Sequence, residues 1–222
     1  MAVYQLPDNE IVFPHPSLAD SNGLLAVGGD LSAGRLILAY SNGIFPWYAQ
    51  GEPILWWSPD PRAVLYPGKF KRSKSLRRLV SSNRFEVTFD KDFVSVINEC
   101  GKIDRKGQEG TWITGEMIQA YTRLHHLGLA HSVETWEKGE LAGGLYGILL
   151  GKVFFGESMF HKKSNASKVA FWHLINRLIA LDVKIIDVQQ DTPHLRSMGA
   201  ELIPRREFLM LVEKYRGYKT VF

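Results

Sequence analysis

The chain has 222 residues, a formal net charge of +4, 45% hydrophobic residues and 23% charged residues. These values are typical of a folded globular protein and exclude a disordered, collagen-like or coiled-coil chain. No apolar run reaches the roughly 18–20 residues that a membrane span needs, and the N-terminus does not have the pattern of a signal peptide. A single cysteine, Cys100, excludes an internal disulfide, which is compatible with a reducing compartment.

The first part of the chain is rich in proline, with seven of the ten prolines before residue 62. Proline removes a backbone donor and fixes φ, so this part is predicted to consist mostly of loops. One helix is expected within it. Apolar residues recur there at helical spacing between a capping residue, Ser32, and a stop residue, Gly43.

Residues 69–84 form a basic segment without any acidic residue. Its cations are Lys69, Lys71, Arg72, Lys74, Arg77, Arg78 and Arg84. The segment contributes +7 to a net charge of +4, which leaves −3 for the other 206 residues. Lys74, Arg77 and Arg78 have the spacing of a helix that presents cations to phosphates, although a solvated basic face is the alternative.

The rest of the chain alternates between strand and helix patterns. The predicted elements are a strand over residues 85–89, a short helix over 92–98, a helix over 114–127, strands over 131–136, 141–149 and 153–158, a helix over 167–181, a buried strand over 183–188 and a short helix over 207–214. Two glycine turns join the three strands into an antiparallel meander. This order predicts an α+β or α/β fold with one mixed sheet, and it is similar to the central part of the acetyltransferase-type (GNAT) fold.

Most common catalytic motifs are missing. The seven histidines and one cysteine do not cluster as zinc ligands do, so no metal site is predicted. Neither a Gly-x-Ser-x-Gly nucleophile motif nor a phosphate-binding P-loop occurs. Residues 158–165 follow the central strand and contain no glycine, which argues against a coenzyme A pyrophosphate site there.

Three local features remain as candidates for chemistry. Glu157 is close to the end of a predicted strand, and Asp187 and Gln189 end the buried strand. Alternate residues of a strand share one face, so Asp187 is expected to orient the side-chain amide of Gln189. Each of these groups also has a purely structural interpretation, as a satisfied hydrogen bond at a strand end. The aromatic residues Tyr40, Trp47 and Trp112 are either core residues or platforms for a base.

Taken together, strings along nearly the whole chain resemble the leucyl/phenylalanyl-tRNA–protein transferase family. They are Phe13-Pro14, NGLLAVGGDL at 22–31, GIFPW at 43–47, PILWWSPDPR at 53–62, GTWI at 110–113, GESMF at 156–160, NASK at 165–168, DVQ at 187–189, MGA at 198–200 and IPRR at 203–206. The long tryptophan–proline string is the most specific of them, whereas DVQ alone is weak.

This resemblance implies a cytoplasmic enzyme that transfers Leu or Phe, and Met less well, from aminoacyl-tRNA to proteins with N-terminal Arg or Lys. The product would then enter N-end-rule degradation. The resemblance also implies a monomer that uses no metal and no coenzyme A. It implies a small N-terminal domain, residues 1–62, and a larger GNAT-like domain, residues 63–222, whose mixed sheet is flanked by helices.

The resemblance assigns roles to individual residues. Asp187 and Gln189 match the proposed catalytic relay, although a neutral amide is a poor base and the terminal ribose hydroxyl is an alternative proton acceptor. Glu157 matches a contact to the terminal nucleotide or aminoacyl group, and Tyr40, Trp47 and Trp112 match aromatic residues around the terminal adenosine. The basic segment would dock the acceptor stem of the tRNA. The expected aminoacyl side-chain pocket consists of Leu145, Phe154, Met159, Phe171, Leu174, Leu178 and Ile186.

One position departs from the family pattern. An aromatic residue is often found where Leu174 stands, and here Phe171 lies one helical turn earlier. The preference among Leu, Phe and Met therefore stays open.

Two other functions remain alternatives on the sequence. One is a coenzyme A-dependent N-acetyltransferase on the same fold, which the missing glycine turn disfavours. The other is an RNA-binding protein without catalytic activity, which only the basic segment and the aromatic residues support.

Overall fold

A computed structural model describes residues 3–103 and 111–222. Its helices are α1 (Ala33–Ser41), α2 (Lys74–Ser81), α3 (Phe93–Gly101), α4 (Gly115–His126), α5 (Ala166–Ala180), α6 (Pro193–Met198) and α7 (Arg205–Tyr215). Its strands are β1 (Tyr4–Leu6), β2 (Leu24–Gly28), β3 (Phe45–Pro46), β4 (Leu55–Trp57), β5 (Arg62–Leu65), β6 (Glu86–Phe89), β7 (Ala130–Glu137), β8 (Glu140–Leu150), β9 (Val153–His161), β10 (Ile185–Gln189) and β11 (Glu201–Ile203).

The strands form two mixed sheets. The smaller sheet has the order β1-β2-β4-β3, in which β1 and β2 are parallel and the other neighbours antiparallel. The larger sheet has the order β11-β5-β10-β9-β8-β7-β6, and β9 and β10 are its parallel pair. Helices pack on the larger sheet, most closely α3 and α5. The predicted α+β class with a mixed sheet is therefore confirmed.

The predicted elements from residue 69 onward are confirmed to within a few residues. The meander β7–β8–β9 is antiparallel throughout. Helix α4 begins where Thr114 Oγ1 accepts a hydrogen bond from the amide of Met117 at 3.3 Å. Helix α1 likewise begins after Ser32 and ends just before Gly43, whose φ of +68° only glycine adopts without strain.

The first part of the chain consists mostly of loops, as predicted, but it also contains short strands that the sequence did not predict. Strands β1 to β4 lie there, and the fully buried Trp56 sits on β4. These strands are two to five residues long, which is too short for a recognisable alternation of apolar and polar residues. Three further short elements, β5, β11 and α6, were not predicted either, because segments of three to six residues are too short to show a periodic pattern.

The parallel pair β9 and β10 separates near the middle of the large sheet. Their register runs from Ile185 opposite Val153 to Asp187 opposite Phe155, and no pairing follows. Beyond this point each strand also carries a bulge against its other neighbour. Glu157 is the extra residue of β9 against β8, and Val188 is that of β10 against β5. Bulges re-aim the side chains around them, so polar groups on both strands can turn into the gap.

Candidate active site

A cavity of about 370 Å³ opens where β9 and β10 separate. Helix α5 and strands β8, β9 and β10 supply much of its apolar wall. Six of the seven residues expected in the aminoacyl side-chain pocket line it: Leu145, Phe154, Met159, Phe171, Leu174 and Ile186. The seventh, Leu178, does not line the cavity, because it lies one turn beyond Leu174 on α5 and packs in the core there.

The three aromatic residues expected around the terminal adenosine divide into two groups. Trp47 and Trp112 line the cavity. Tyr40 does not line it; the residue is 1% exposed, and its ring packs edge-on against Phe155. The structure thus places Tyr40 behind the cavity, where its hydroxyl donates a hydrogen bond to Glu157 Oε1 at 2.8 Å.

Glu157 is the acid on the cavity wall, and three side chains donate to its carboxylate. Tyr40 and Gln189 donate to Oε1, while Tyr121 donates to Oε2 at 3.2 Å. The two tyrosine oxygens also lie within hydrogen-bonding distance of each other, and because each hydroxyl has only one proton, this third contact needs a proton on the Glu157 carboxyl. Burial raises the pKa of Glu157 to about 7, although these hydrogen bonds favour its ionised form. The carboxyl can therefore exchange a proton near neutral pH.

Gln189 faces the same cavity with its side-chain amide. Its Nε2 lies 3.2 Å from Glu157 Oε1. A carboxylate only accepts hydrogen bonds, so the amide nitrogen must point at Glu157 and the carbonyl oxygen must point elsewhere. The backbone of Gln189 has φ +60° and follows the β10 bulge, and its side chain bonds Glu157 and not Asp187. Among the residues that the structure describes, none donates a hydrogen bond to the amide oxygen, so this oxygen can accept one in the cavity.

Asp187 plays a different part from the one expected. It is fully buried, and Arg62 binds it with two parallel hydrogen bonds, Nε to Oδ1 at 2.8 Å and Nη2 to Oδ2 at 2.7 Å. Its contact with Gln189 is to the backbone amide, which donates to Oδ1 at 3.0 Å. The expectation that Asp187 orients the Gln189 side-chain amide is therefore wrong. Asp187 instead holds the backbone at the bulge.

Arg62 is a site residue that sequence reasoning did not identify. Its guanidinium is also fully buried, and it packs over the rings of Phe45 at 4.8 Å and Phe208 at 4.6 Å. Such cation–π contacts partly offset the free-energy cost of removing the guanidinium from water. Arg62 and Asp187 are 125 residues apart in the sequence, so no local pattern could have paired them.

Several further cavity residues were also missed. They come from β3, from the strands around the bulges and from α6 and the loop before it. They are Phe45, Pro46, Tyr146, Gly156, Ser158, Val188, Gln190, Thr192, His194 and Leu195. The one available signal was at α6, where Thr192-Pro193 is a typical helix start and Thr192 caps the amide of Leu195 at 3.2 Å.

The basic segment forms α2 at Lys74–Ser81, as its spacing predicts. Two of its seven cations are ion-paired: Lys69 with Glu201 at 2.9 Å and Arg84 with Glu137 at 2.6 Å. Arg72 packs over Trp172, whereas Lys71, Lys74, Arg77 and Arg78 make no ion pair with a described carboxylate. The free positive charge of the segment is therefore concentrated on and just before α2.

The described residues contain no group of three His, Cys, Asp or Glu side chains able to hold a metal ion together. Among the helices of residues 3–103 and 111–222, none is both long and apolar enough to span a bilayer.

Comparisons with known proteins agree with one another. A family model described as leucyl/phenylalanyl-tRNA protein transferase matches residues 64–213, and the model of that family's N-terminal domain matches residues 29–60. Proteins named leucyl/phenylalanyl-tRNA–protein transferase are close relatives. The one from Syntrophobacter fumaroxidans is 56% identical over 96% of this chain and 90% of its own length. The one from Desulfatibacillum aliphaticivorans is 54% identical over 100% of this chain and 94% of its own.

Similarity to solved structures is much weaker. A GCN5-related N-acetyltransferase from Kribbella flavida covers 78% of this chain and 61% of its own, with 8% sequence identity and a TM-score of 0.38, too distant to bear on function. The family models together match most of the chain, and the relatives match nearly all of it. The chain therefore belongs to the leucyl/phenylalanyl-tRNA–protein transferase family of aminoacyltransferases.

Proposed function

We propose that the protein transfers Leu or Phe, and Met less well, from aminoacyl-tRNA to the α-amine of proteins whose first residue is Arg or Lys. The observation that carries this proposal is the pairing of an apolar cavity with one oriented amide, that of Gln189, and one carboxyl, that of Glu157, at its wall. An apolar pocket accepts an uncharged side chain, and the two polar groups suit an amine that must be positioned and lose a proton.

The donor would enter this cavity with its aminoacyl side chain first. Leu145, Phe154 and Ile186 supply a rigid apolar wall, and the flexible Met159 suits a pocket that accepts both Leu and Phe. The terminal adenosine would lie against Trp47 and Trp112. Stacking of a base on an aromatic ring contributes roughly 1–3 kcal/mol, enough to position one unpaired nucleotide.

The reaction itself needs little activation, because the aminoacyl ester of tRNA is already reactive. The acceptor's α-nitrogen forms a bond to the carbonyl carbon, and the bond from that carbon to the ribose oxygen breaks. The nitrogen loses a proton, and the ribose oxygen leaves with one. The Gln189 carbonyl oxygen would accept a hydrogen bond from the amine and so align it for attack.

We do not assign Asp187 as the group that takes the proton from the attacking amine. Asp187 has both carboxylate oxygens occupied by Arg62 and does not line the cavity. Glu157 does line the cavity, and its pKa of about 7 suits a group that takes up a proton near neutral pH. We propose Glu157 as the protein's proton acceptor, with the ribose hydroxyl of the donor as the alternative.

This assignment predicts the pH dependence of the reaction. Glu157 is ionised above its pKa, so kcat/KM should rise with pH through about 7 and fall below it. The acceptor amine, with an ordinary pKa of about 8, adds a second rise. In Glu157→Gln the rise near 7 should be absent while the rise near 8 stays. A Glu157→Gln profile with both rises would contradict the assignment.

The basic segment predicts how salt affects tRNA binding. We expect log Kd to change with log salt by about 0.7 to 0.9 per phosphate neutralised. Arg77→Ala should lower this slope by about one such unit, since Arg77 is exposed on α2 without an ion-pair partner among the described residues. Arg84→Ala is the matched control, because Arg84 is already paired with Glu137. Equal effects of the two variants, or a salt-insensitive Kd, would refute docking on α2.

The proposal includes the location, oligomeric state, cofactor use and domain division of the protein. We propose a cytoplasmic monomer that uses no metal, nucleotide cofactor or coenzyme A and that marks its targets for N-end-rule degradation. We also propose a small domain at residues 1–62 and a GNAT-like domain at residues 63–222. The change of sheet between β4 and β5, at residues 57–62, supports this division.

A direct test mixes the protein with labelled leucyl-tRNA and a peptide that begins with Arg. We expect label in the peptide, and far less when the peptide begins with Asp or has an acetylated α-amine. Competition by coenzyme A and transfer from acetyl-coenzyme A, without leucyl transfer, would favour an acetyltransferase instead.

A further inference from the structure

The string NASK at residues 165–168 forms the start of α5, and the function proposed above gives it no role. Lys168 lies in the first turn of α5, three residues before Phe171, which lines the cavity. Residues three apart on a helix are neighbours, so Lys168 borders the lining residue Phe171 without lining the cavity itself, and we call this position the rim. Lys168 is partly exposed, and it makes no ion pair with any carboxylate of the described residues.

A second residue at this rim is His194, which lines the cavity from the first turn of α6. Lys168 and His161 both interact electrostatically with His194. Burial and then these two interactions lower the pKa of His194. Near neutral pH its imidazole is therefore an uncharged hydrogen-bond donor, and Lys168 carries the charge.

The outer face of α5 continues from this rim toward the basic segment. Lys168, Trp172 and Asn176 follow each other at intervals of four residues and so form one row, about 12 Å long. The guanidinium of Arg72 lies 4.9 Å from the Trp172 ring and donates to Asn176 Oδ1 at 2.7 Å. Arg72 directly precedes α2. The row thus joins the cavity to the cations that are expected to dock the tRNA.

Resting on the function proposed above, we propose that Lys168 and His194 bind the phosphodiester on the 5′ side of the terminal adenosine. The single-stranded 3′ end of the tRNA then leaves the cavity along α5 toward Arg72. An ammonium and a neutral imidazole N–H together suit a phosphodiester, which carries one negative charge and accepts hydrogen bonds through two oxygens.

Two stable analogues test this assignment without any turnover. One is adenosine with phenylalanine attached by an amide at the 3′ position, and the other is the same compound with a methyl phosphate diester at its 5′ oxygen. In calorimetry with the wild-type protein, the phosphodiester should tighten binding by about tenfold or more. In Lys168→Met the gain should fall below about twofold. A substitution that damages the whole cavity weakens the binding of both analogues equally. The ratio of the two dissociation constants therefore reports only the effect of the phosphodiester.

The matched control is Lys162→Met. Lys162 is six residues earlier and is already paired with Glu99 at 3.0 Å, so this variant should keep the tenfold gain. Lys168→Arg should keep it as well. The inference is overturned if the phosphodiester gives the wild type no gain, if Lys168→Met keeps the gain, or if Lys168→Arg loses it. A wild type that binds neither analogue overturns the proposed function and this inference with it.

Discussion

Replacing Arg62 with methionine is expected to lower the free energy of unfolding by about 3–5 kcal/mol. The substitution leaves the carboxylate of Asp187 buried without its two strongest donors. Removing one partner of a buried ion pair costs far more than removing one partner of a surface pair. Urea unfolding with linear extrapolation measures the difference. Lys69→Met is the matched control, since its ion pair with Glu201 lies on the surface, and it should change stability little.

A double variant separates stability from activity at this pair. Arg62→Met with Asp187→Leu removes both charges, and its stability should return close to that of the wild type. The Gln189 backbone amide then loses its acceptor, so transfer should stay slow although the protein is folded. An Arg62→Met protein as stable as the Lys69→Met control would show that the pair is not buried as described.

Gln189→Ala is expected to lower kcat by about a hundredfold, the loss that follows when a reacting group is misplaced by about 1 Å. The Kd for aminoacyl-tRNA should change by less than about twofold, because the amide faces the acceptor amine and not the donor. Single-turnover rates and filter binding measure the two quantities separately. Gln119→Ala makes the same change on the exposed face of α4 and should leave both unaltered. A large loss of tRNA binding in Gln189→Ala would assign the amide to the donor instead.

The helices and the meander could be predicted because their signals are local. Ser32 and Thr114 cap helices through atoms three residues away, and the alternation within β7 to β9 spans many residues. The apolar cavity wall was predictable for a different reason. It was predicted from the family resemblance, which assigns pocket positions that the hydrophobic periodicity of this sequence does not indicate. Leu178 and Tyr40 show where this prediction fails. The sequence does not distinguish a residue buried behind the cavity wall from one exposed on that wall.

The polar centre of the site could not be predicted in its details. Glu157 and Gln189 meet because β9 and β10 each carry a bulge where they separate, and a bulge leaves no trace in the alternation of a short strand. Tyr121 joins them from α4, 36 residues from Glu157. The spacing of Asp187 and Gln189 predicted a shared strand face, and the bulge between them is the reason that prediction failed.

The most direct measurement is the mass and attachment site of the product formed from leucyl-tRNA and a peptide that begins with Arg and contains an internal Lys. We expect a peptide heavier by one leucyl residue, with leucine on the α-amine and none on the lysine side chain, as fragmentation would show. We also expect that Glu157→Gln and Gln189→Ala form this product slowly. An unmodified peptide, with tRNA bound and its leucyl ester intact, would contradict the account.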